Sequence, residues 1–213
     1  MVIGVLIPDR NDRPDFLNHC LSMIRKQTLK ANYIQLVNYP ARTKDFDLTQ
    51  RVRFGIEVLK EAGCDCILIM ENDDWYSEDY IETMVNAWIN ENKPDIFGTE
   101  YTFYYHLHKR AYNLLEHKGR ASLMNTLISS SAVIKFPPDN EVYLDLFLWK
   151  ELNGKTFKPI KPIALGIKHG VGLCGGNGHN SMRYKNEDQD LTVLKNFVDS
   201  DSFQFYKNII NNA

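Results

Sequence analysis

A short run of acidic residues directly follows an apolar segment in the first half of the chain. Residues 66–70 are apolar, and Glu71, Asp73 and Asp74 come within the next four positions. A continuous apolar run of this length predicts a strand that is buried on both faces, as in a parallel sheet. Crowded carboxylates repel one another unless a cation offsets the repulsion. Mg²⁺ and Mn²⁺ prefer carboxylate oxygens and bridge them to phosphates, so the stretch predicts a metal–diphosphate site.

Helix capping is the alternative interpretation of this acidic stretch. Residues 77–79 have the composition of a helix start, where a side-chain oxygen caps the free N–H groups and acids are favoured. Capping accounts for the acids within that segment, but it does not require the three acids that precede it. We therefore favour the metal interpretation.

Composition and charge are those of an ordinary globular protein. The 213 residues are 44% hydrophobic and 24% charged, which suits one α/β domain with a large core. The net charge of −2 gives no global signal for nucleic acid or an anionic membrane. The chain begins with a predicted strand and shows no secretory leader, so we expect a cytoplasmic protein. Four cysteines fit reduced thiols better than a disulfide framework: Cys20, Cys64, Cys66 and Cys174.

Predicted strands and helices alternate in the first half of the chain. The predicted strands are residues 2–7, 33–37 and 66–70, and the predicted helices begin near Pro14, Arg51 and Ser77. The alternation favours a parallel, doubly wound sheet with right-handed crossovers. Pro14 suits the first turn of a helix, and Gly63 suits the left-handed position that ends one.

The second half of the chain has a different pattern. Aromatic and β-branched residues in segments 95–105 and 121–136, the latter ending in the apolar run 132–136, predict antiparallel or mixed strands. Further predicted elements are a helix at 141–152, a strand at 163–167, a glycine-rich mobile loop from 170 to 178, and helical pieces near 191–198 and 203–210. We expect a single domain over residues 1–213.

Four segments occur in a fixed order over roughly the first 150 residues. They are residues 5–11 with Phe16 and Leu17, residues 51–55, residues 68–74, and residues 143–149. Together they resemble the family 2-type glycosyltransferases of the A-type nucleotide-sugar transferase fold. The third segment is similar to the DXD-type metal motif of that family, and the order of all four is more specific than any one of them.

The resemblance implies an α/β fold with a Rossmann-like, doubly wound mixed sheet and a short antiparallel second half. Residues 1–95 would form the half that binds the nucleoside-diphosphate sugar, residues 96–185 the acceptor side, and residues 186–213 a helical tail. The implied donor-binding residues are Pro8, Asp9, Arg10, Asp47, Arg51, Arg53, Asn72 and Asp74. Because the second strand lacks the usual acidic ending, either Asp45 or Asp47 is expected to contact the nucleotide base instead.

The resemblance also implies a bound Mn²⁺ or Mg²⁺. Asp73 is the first candidate ligand, and Glu71, which stands where aspartate is usual, is the second. Members of the fold often add a histidine from the C-terminal part, and two candidates remain open. His169 ends a predicted strand, whereas His179 lies in the glycine-rich loop, which can close on a ligand.

Asp145 is the candidate base that takes the proton of the acceptor hydroxyl. It lies in the segment that resembles the base-carrying segment of inverting family members, although Leu144 stands where glutamate is frequent. Displacement would then occur in one step with inversion at the anomeric carbon. The alternative is that Asp145 is an acid favoured by the dipole of an early helix.

The acceptor is the least specified partner. Basic residues at Lys109, Arg110, Lys118 and Arg120 suggest either a solvated hairpin or a contact for an anionic acceptor. A glycan and a hydroxymethylated DNA base are both compatible with the resemblance.

Two other classes of function remain as alternatives. A nucleotidyltransferase should carry a glycine-rich loop after the first strand, and the loop at residues 8–13 has no glycine. An inactive binding module of the same fold would tolerate loss of the acids, yet all three are present.

Overall fold

The structure, a computed structural model, describes residues 1–39, 46–170 and 184–212. Its strands are β1 (Ile3–Pro8), β2 (Tyr33–Val37), β3 (Cys66–Ile69), β4 (Trp75–Tyr76), β5 (Ile96–Thr99), β6 (Tyr101–His106), β7 (Ala111–Glu116), β8 (Thr126–Ser129), β9 (Gly154–Phe157), β10 (Ala164–Lys168) and β11 (Asn186–Glu187). Its α-helices are α1 (Pro14–Lys26), α2 (Leu48–Glu61), α3 (Tyr80–Asn90), α4 (Leu144–Glu151), α5 (Thr192–Phe197) and α6 (Ser200–Asn211). Within these ranges, no helix combines the length and the apolar character that crossing a bilayer requires.

A six-stranded mixed sheet forms the centre of the protein. Its strand order is β2-β1-β3-β8-β5-β9, in which β2, β1 and β3 are parallel and β8 runs antiparallel to both β3 and β5. Every residue of β1 and β3 is buried, which explains their uninterrupted apolar sequences. The predicted parallel first half and mixed second half are confirmed.

Helix α1 begins where the sequence predicts, whereas α2 begins at Leu48, three residues before the predicted start near Arg51 and within the segment predicted as a loop. Pro14 is the first residue of α1, where its missing N–H costs nothing. After α2 the chain turns at Gly63, whose φ of +78° favours glycine. The start of α3 differs, because the helix begins at Tyr80 and Ser77 does not cap it. The hydroxyl of Ser77 instead donates to the Asp79 carboxylate at 2.6 Å.

A second sheet, of order β11-β7-β6-β10-β4, packs beside the first. Segment 95–105 is therefore two strands, β5 and β6, that belong to different sheets. The prediction that segment 121–136 ends in a strand is wrong for residues 132–136. Pairing of β8 stops at Ser129, and the amide of Ala132 bonds back to the Ser129 carbonyl in a turn.

Helix α4 rests on two strands of the central sheet through Trp149. Gly98 in β5 and Gly154 in β9 face this indole, and a Cβ on either would lie 3.2 Å and 2.7 Å from its ring. The indole N–H donates to the Thr126 hydroxyl at 3.3 Å. The absence of side chains at the two glycines thus sets the position of α4, which carries Asp145.

The C-terminal helix α6 packs against the first helix and β4. Asp199 caps α6 and accepts a hydrogen bond from the indole of Trp75 at 3.0 Å. Phe205 packs edge to face on Phe16, whose ring lies 4.2 Å from that of His169. This aromatic chain fixes the imidazole at the end of β10.

Replacement of Gly98 by alanine tests this packing. The new Cβ would lie 2.3 Å from the Asn125 carbonyl oxygen and 2.5 Å from the Cβ of Ala121. Since overpacking costs typically about 1–3 kcal/mol, we expect Gly98→Ala to lower the free energy of unfolding by that amount in urea titrations. Glu57→Ala, on the exposed face of α2, is the control and should change it by less than about 0.5 kcal/mol. Equal stability of the two variants would contradict this account.

Candidate functional site

A cleft opens at the carboxyl ends of β1 and β3. Ligands bind at this edge of open α/β sheets because the strand order reverses there and loops diverge. The residues that line the cleft are Pro8, Arg10, Arg13, Phe46, Asp47, Leu48, Arg51, Glu71, Asn72, Asp73 and Lys168. Seven of these residues were predicted from the sequence as site residues. The lining as a whole brings acidic and cationic side chains together in the cleft.

The floor of the cleft joins the ends of its two strands. The amide of Asn72, after β3, donates to the carboxylate of Asp9, after β1, at 2.5 Å. Asp9 also accepts from the backbone N–H of Asn11 at 3.1 Å. Burial raises the pKa of Asp9 above its ordinary value, and these hydrogen bonds oppose the rise. Both residues are buried, so they shape the site from beneath.

Arg51 holds three segments together at one wall of the cleft. Its guanidinium is 1% exposed and donates to the backbone carbonyls of Asp9 at 2.6 Å and Val37 at 3.2 Å. It also donates twice to Asp47, at 2.7 and 3.1 Å, and lies 4.0 Å over the ring of Tyr39. Arg51 therefore joins three segments of the chain by hydrogen bonds, in addition to its predicted role in donor binding.

The other predicted arginines lie in different places. Arg10 pairs with Asp47 at 2.8 Å and faces the cleft. Arg53, two residues after Arg51 and therefore on nearly the opposite face of α2, pairs with Asp139 at 2.6 Å on the surface. The structure therefore brings Arg10 to the candidate site and leaves Arg53 outside it.

Asp73 meets a cation and an imidazole within the cleft. The guanidinium of Arg13 forms an ion pair with Asp73 Oδ2, and Nε2 of His169 is hydrogen-bonded to the same oxygen at 2.9 Å. Burial alone would raise the pKa of Asp73, but Arg13, the His169 hydrogen bond and Lys168 hold it below its ordinary value. The predicted pairing of the acidic motif with a C-terminal histidine thus has a direct contact in the structure.

The two acids beside Asp73 have separate environments. Burial, and next the charge of Asp73, raise the pKa of Glu71 to about 7. Asp74 is 1% exposed, and its Oδ1 accepts a hydrogen bond from the backbone N–H of Ile167 at 2.7 Å. Burial also raises the pKa of Asp74 well above its ordinary value. Asp74 therefore fastens β10 to the acidic loop beneath the cleft.

Lys168 is a cation that sequence reasoning did not assign to the site. It ends β10, lines the cleft, and lies 5.2 Å from the ring centroid of Tyr104. The pKa of Lys168 is raised because the attraction of Asp74, Asp73 and Glu71 outweighs the burial that would lower it. The sequence did hold a signal for Lys168 as a site residue, because Lys168 and the candidate ligand His169 both follow the same predicted strand.

Asp145 lies in the first turn of α4 and is not among the residues that line the cleft. Its Oδ2 accepts a hydrogen bond from Arg120 at 2.8 Å. Burial raises the pKa of Asp145, and Arg120 opposes the rise. The negative charge of Asp145 also contributes to the raised pKa values of Glu71 and Tyr104, so the carboxylate lies within electrostatic reach of the acidic motif.

The four basic residues proposed for an anionic acceptor do not form one cluster. Lys109 and Arg110 lie in the turn between β6 and β7, where Arg110 donates to the Gln189 carbonyl at 3.3 Å. Lys118 and Arg120 follow the far end of β7, about 17 Å along a six-residue strand. Of these four, Arg120 is the residue that contacts Asp145.

The resemblance found in the sequence implies a divalent cation, and the donor atoms of the candidate side chains are of the types that bind one. The Glu71 and Asp73 carboxylates supply oxygen ligands, and the His169 imidazole, already in contact with Asp73, supplies nitrogen. Among residues 1–39, 46–170 and 184–212, however, no three such side chains surround a common point. The guanidinium of Arg13 lies against Asp73, 3.4 Å from His169 Nε2. His179 and Asp45 lie outside the described residues, so the choice between the two histidines stays a prediction.

Comparison with known proteins identifies the fold. No protein-family profile and no curated protein sequence matches the chain. The structure of S. aureus TarS residues 1–349 with UDP-GlcNAc matches with a TM-score of 0.60 and 11% identity, over 83% of this chain and 61% of that one. The same piece of TarS with UDP matches with a TM-score of 0.54 and 12% identity, over 78% and 60%. The chain thus spans about three fifths of the TarS piece, and the likeness confirms the A-type nucleotide-sugar transferase fold.

Replacement of Arg51 and of Arg53 by lysine, each in its own variant, compares a buried arginine of α2 with a partly exposed one. Arg51→Lys keeps the charge but loses the planar fork that reaches three segments. Because buried acceptors are then left unpaired, we expect the free energy of unfolding to fall by about 2–4 kcal/mol. Arg53→Lys, the matched control on the same helix, should change it by less than about 0.5 kcal/mol. Chemical denaturation measures the free energy of unfolding of both variants. An unchanged denaturation midpoint for Arg51→Lys would contradict the conclusion that Arg51 stabilises the fold.

Proposed function

We propose that this chain is a metal-dependent glycosyltransferase that moves a sugar from a uridine-diphosphate sugar to a hydroxyl acceptor. The observation that carries the proposal is the cleft at the ends of β1 and β3, in which Arg10, Arg13 and Lys168 lie among Glu71 and Asp73. An anionic diphosphate needs such cations, and a divalent metal needs such acids. The fold is one in which TarS binds UDP-GlcNAc and UDP.

The donor lies across the cleft in this proposal. Asp47 and Arg10, which pair at 2.8 Å, contact the nucleoside, with Pro8 and Asn72 at the ends of the two strands beneath it. The diphosphate lies toward Lys168, where a guanidinium and an ammonium can donate charge-assisted hydrogen bonds. Residues 1–95 supply most of these contacts, residues 96–185 supply the acceptor side, and residues 186–213 form the helical tail.

The metal site consists of Glu71, Asp73 and His169 in this proposal. A bound Mn²⁺ or Mg²⁺ would stabilise the negative charge that develops on the leaving diphosphate. Asp74 acts beneath them by fixing the acidic loop to the backbone of Ile167. The contact between His169 and Asp73 supports this assignment, because it brings a nitrogen and an oxygen ligand together before any ion binds.

Asp145 acts as the general base. It accepts the proton of the acceptor hydroxyl while the acceptor oxygen bonds to the anomeric carbon and the bond to the diphosphate breaks. Attack from the face opposite the leaving group inverts the configuration in one step. The raised pKa of Asp145, which results from burial, makes the carboxylate a better proton acceptor. Arg120 orients it through the 2.8 Å contact.

A glycan is the favoured acceptor class. Lys109 and Arg110 are separated from Lys118 and Arg120 by the length of β7, so they do not offer DNA a continuous basic surface. Tyr104, beside Lys168, offers an aromatic ring to a sugar. DNA with hydroxymethylated bases is the second acceptor to be tested.

A thermal-shift experiment tests the donor site. A ligand at a hundred times its dissociation constant stabilises by about 2.7 kcal/mol, which for a domain of this size is a shift of roughly 5–10 °C. We expect such a shift with UDP and UDP-sugars, larger with Mn²⁺ than with EDTA. Asp73→Asn should lose the Mn²⁺-dependent part, whereas Asp139→Asn, which alters a surface ion pair, should keep it. Absence of a shift with any diphosphate would favour the inactive binding module, and release of pyrophosphate would favour a nucleotidyltransferase.

Substitution of the base tests the chemical step. Asp145→Asn keeps an oxygen for Arg120 but cannot accept the acceptor proton. We expect release of UDP from the donor, in the presence of a productive acceptor, to fall by about 10²–10⁴-fold while the dissociation constant of UDP stays within about threefold. Glu151→Gln, at the other end of α4, is the matched control and should transfer normally. Unchanged transfer by Asp145→Asn would remove it as the base.

A further inference from the structure

Arg13 lies against two of the residues of the candidate metal site. Its guanidinium forms an ion pair with Asp73 Oδ2 and lies 3.4 Å from Nε2 of His169. Its Nε donates to Asp12 Oδ1 at 3.2 Å. The side chain is 14% exposed, as is that of Asp73. A cation therefore already lies against two of the three residues that we assign to the metal.

The backbone around Arg13 fixes where the side chain starts. Arg13 directly precedes Pro14, the first residue of α1, and its carbonyl accepts from the N–H of Leu17 at 3.1 Å. In the first turn of α1, the ring of Phe16 lies 4.2 Å from that of His169. The start of α1 therefore fixes both the backbone of Arg13 and the support of His169.

We propose that Arg13 is the resident counter-cation of this site and competes with the divalent metal for Asp73 and His169. The inference rests on the proposed function, and it names a residue that regulates the same site. Buried carboxylates need a counter-charge in the free protein. Arg13 supplies it until a metal takes its place, so a metal must displace an ion pair before it can bind.

A diphosphate makes that exchange favourable. Once displaced from Asp73, the guanidinium is close to a cleft that holds phosphate oxygens, to which it can donate two hydrogen bonds. The metal and the nucleotide then assist each other's binding, and the assistance is reciprocal by thermodynamic linkage. The free protein should therefore bind Mn²⁺ weakly and the protein with UDP should bind it tightly.

Titration of Mn²⁺ into the full chain, with the free ion followed by electron paramagnetic resonance, tests the proposal. We expect the wild type to bind Mn²⁺ at least tenfold more tightly with saturating UDP than without it. Arg13→Gln should bind Mn²⁺ alone at least tenfold more tightly than the wild type does, and should gain less from UDP. Arg53→Gln, which removes an arginine outside the cleft, is the matched control and should behave as the wild type.

The outcomes separate the inference from the proposed function. If the wild type binds Mn²⁺ and UDP but Arg13→Gln binds Mn²⁺ equally or more weakly, the inference is refuted and the proposed function stands. If the wild type binds neither, both are refuted. Circular dichroism establishes whether Arg13→Gln folds. If it does not, Arg13→Lys serves in its place, since an ammonium lacks the planar fork and should raise Mn²⁺ affinity by a smaller factor, and an unchanged affinity refutes the inference.

Discussion

The structure depends on how three acids are kept together at the end of one buried strand. Asp73 pairs with Arg13 and His169, and Asp74 accepts a hydrogen bond from the backbone N–H of Ile167, whereas burial and the charge of Asp73 raise the pKa of Glu71. Without a counter-charge, the burial of such charges would cost several kcal/mol each. The partners of the acids come from the loop after β1 and from the end of β10. Because β1 and β10 belong to different sheets, the cleft forms only when both sheets are assembled.

Two packing features hold those partners in place. The aromatic chain from Phe205 through Phe16 ends on the imidazole of His169, which makes the C-terminal helix part of the support of the site. On the acceptor side, Trp149 lies on strands that have glycine at the contact. Side chains outside the cleft thus fix the positions of His169 and Asp145. The roles that we propose for these two residues require placement to within a fraction of an ångström.

Sequence reasoning found the elements with local signals and missed the partners made by tertiary contact. Strands β1 and β3 were predictable because burial on both faces leaves an uninterrupted apolar run. Arg13 pairs with an acid 60 residues away, and no local pattern encodes that distance. Arg51 and Arg53 are the same residue type two positions apart, yet Arg51 is buried whereas the side chain of Arg53 is 36% exposed. The split of segment 95–105 between two sheets was equally invisible, because both strands are rich in aromatic and β-branched residues.

The balance of charge in the cleft links the two ligands that we propose for it. Four cationic and three acidic side chains line it, and three of the cations lie close to acids: Arg10 and Arg51 to Asp47, and Arg13 to Asp73. A diphosphate alone would bring more negative charge than this small excess offsets, and a divalent cation alone would meet Arg13 at its ligands. Bound together, as we propose, the cation would neutralise the phosphates, and the phosphates would accept hydrogen bonds from the displaced guanidinium. In the proposed function, the ion pair between Arg13 and Asp73 in the free protein would therefore favour simultaneous binding of metal and donor.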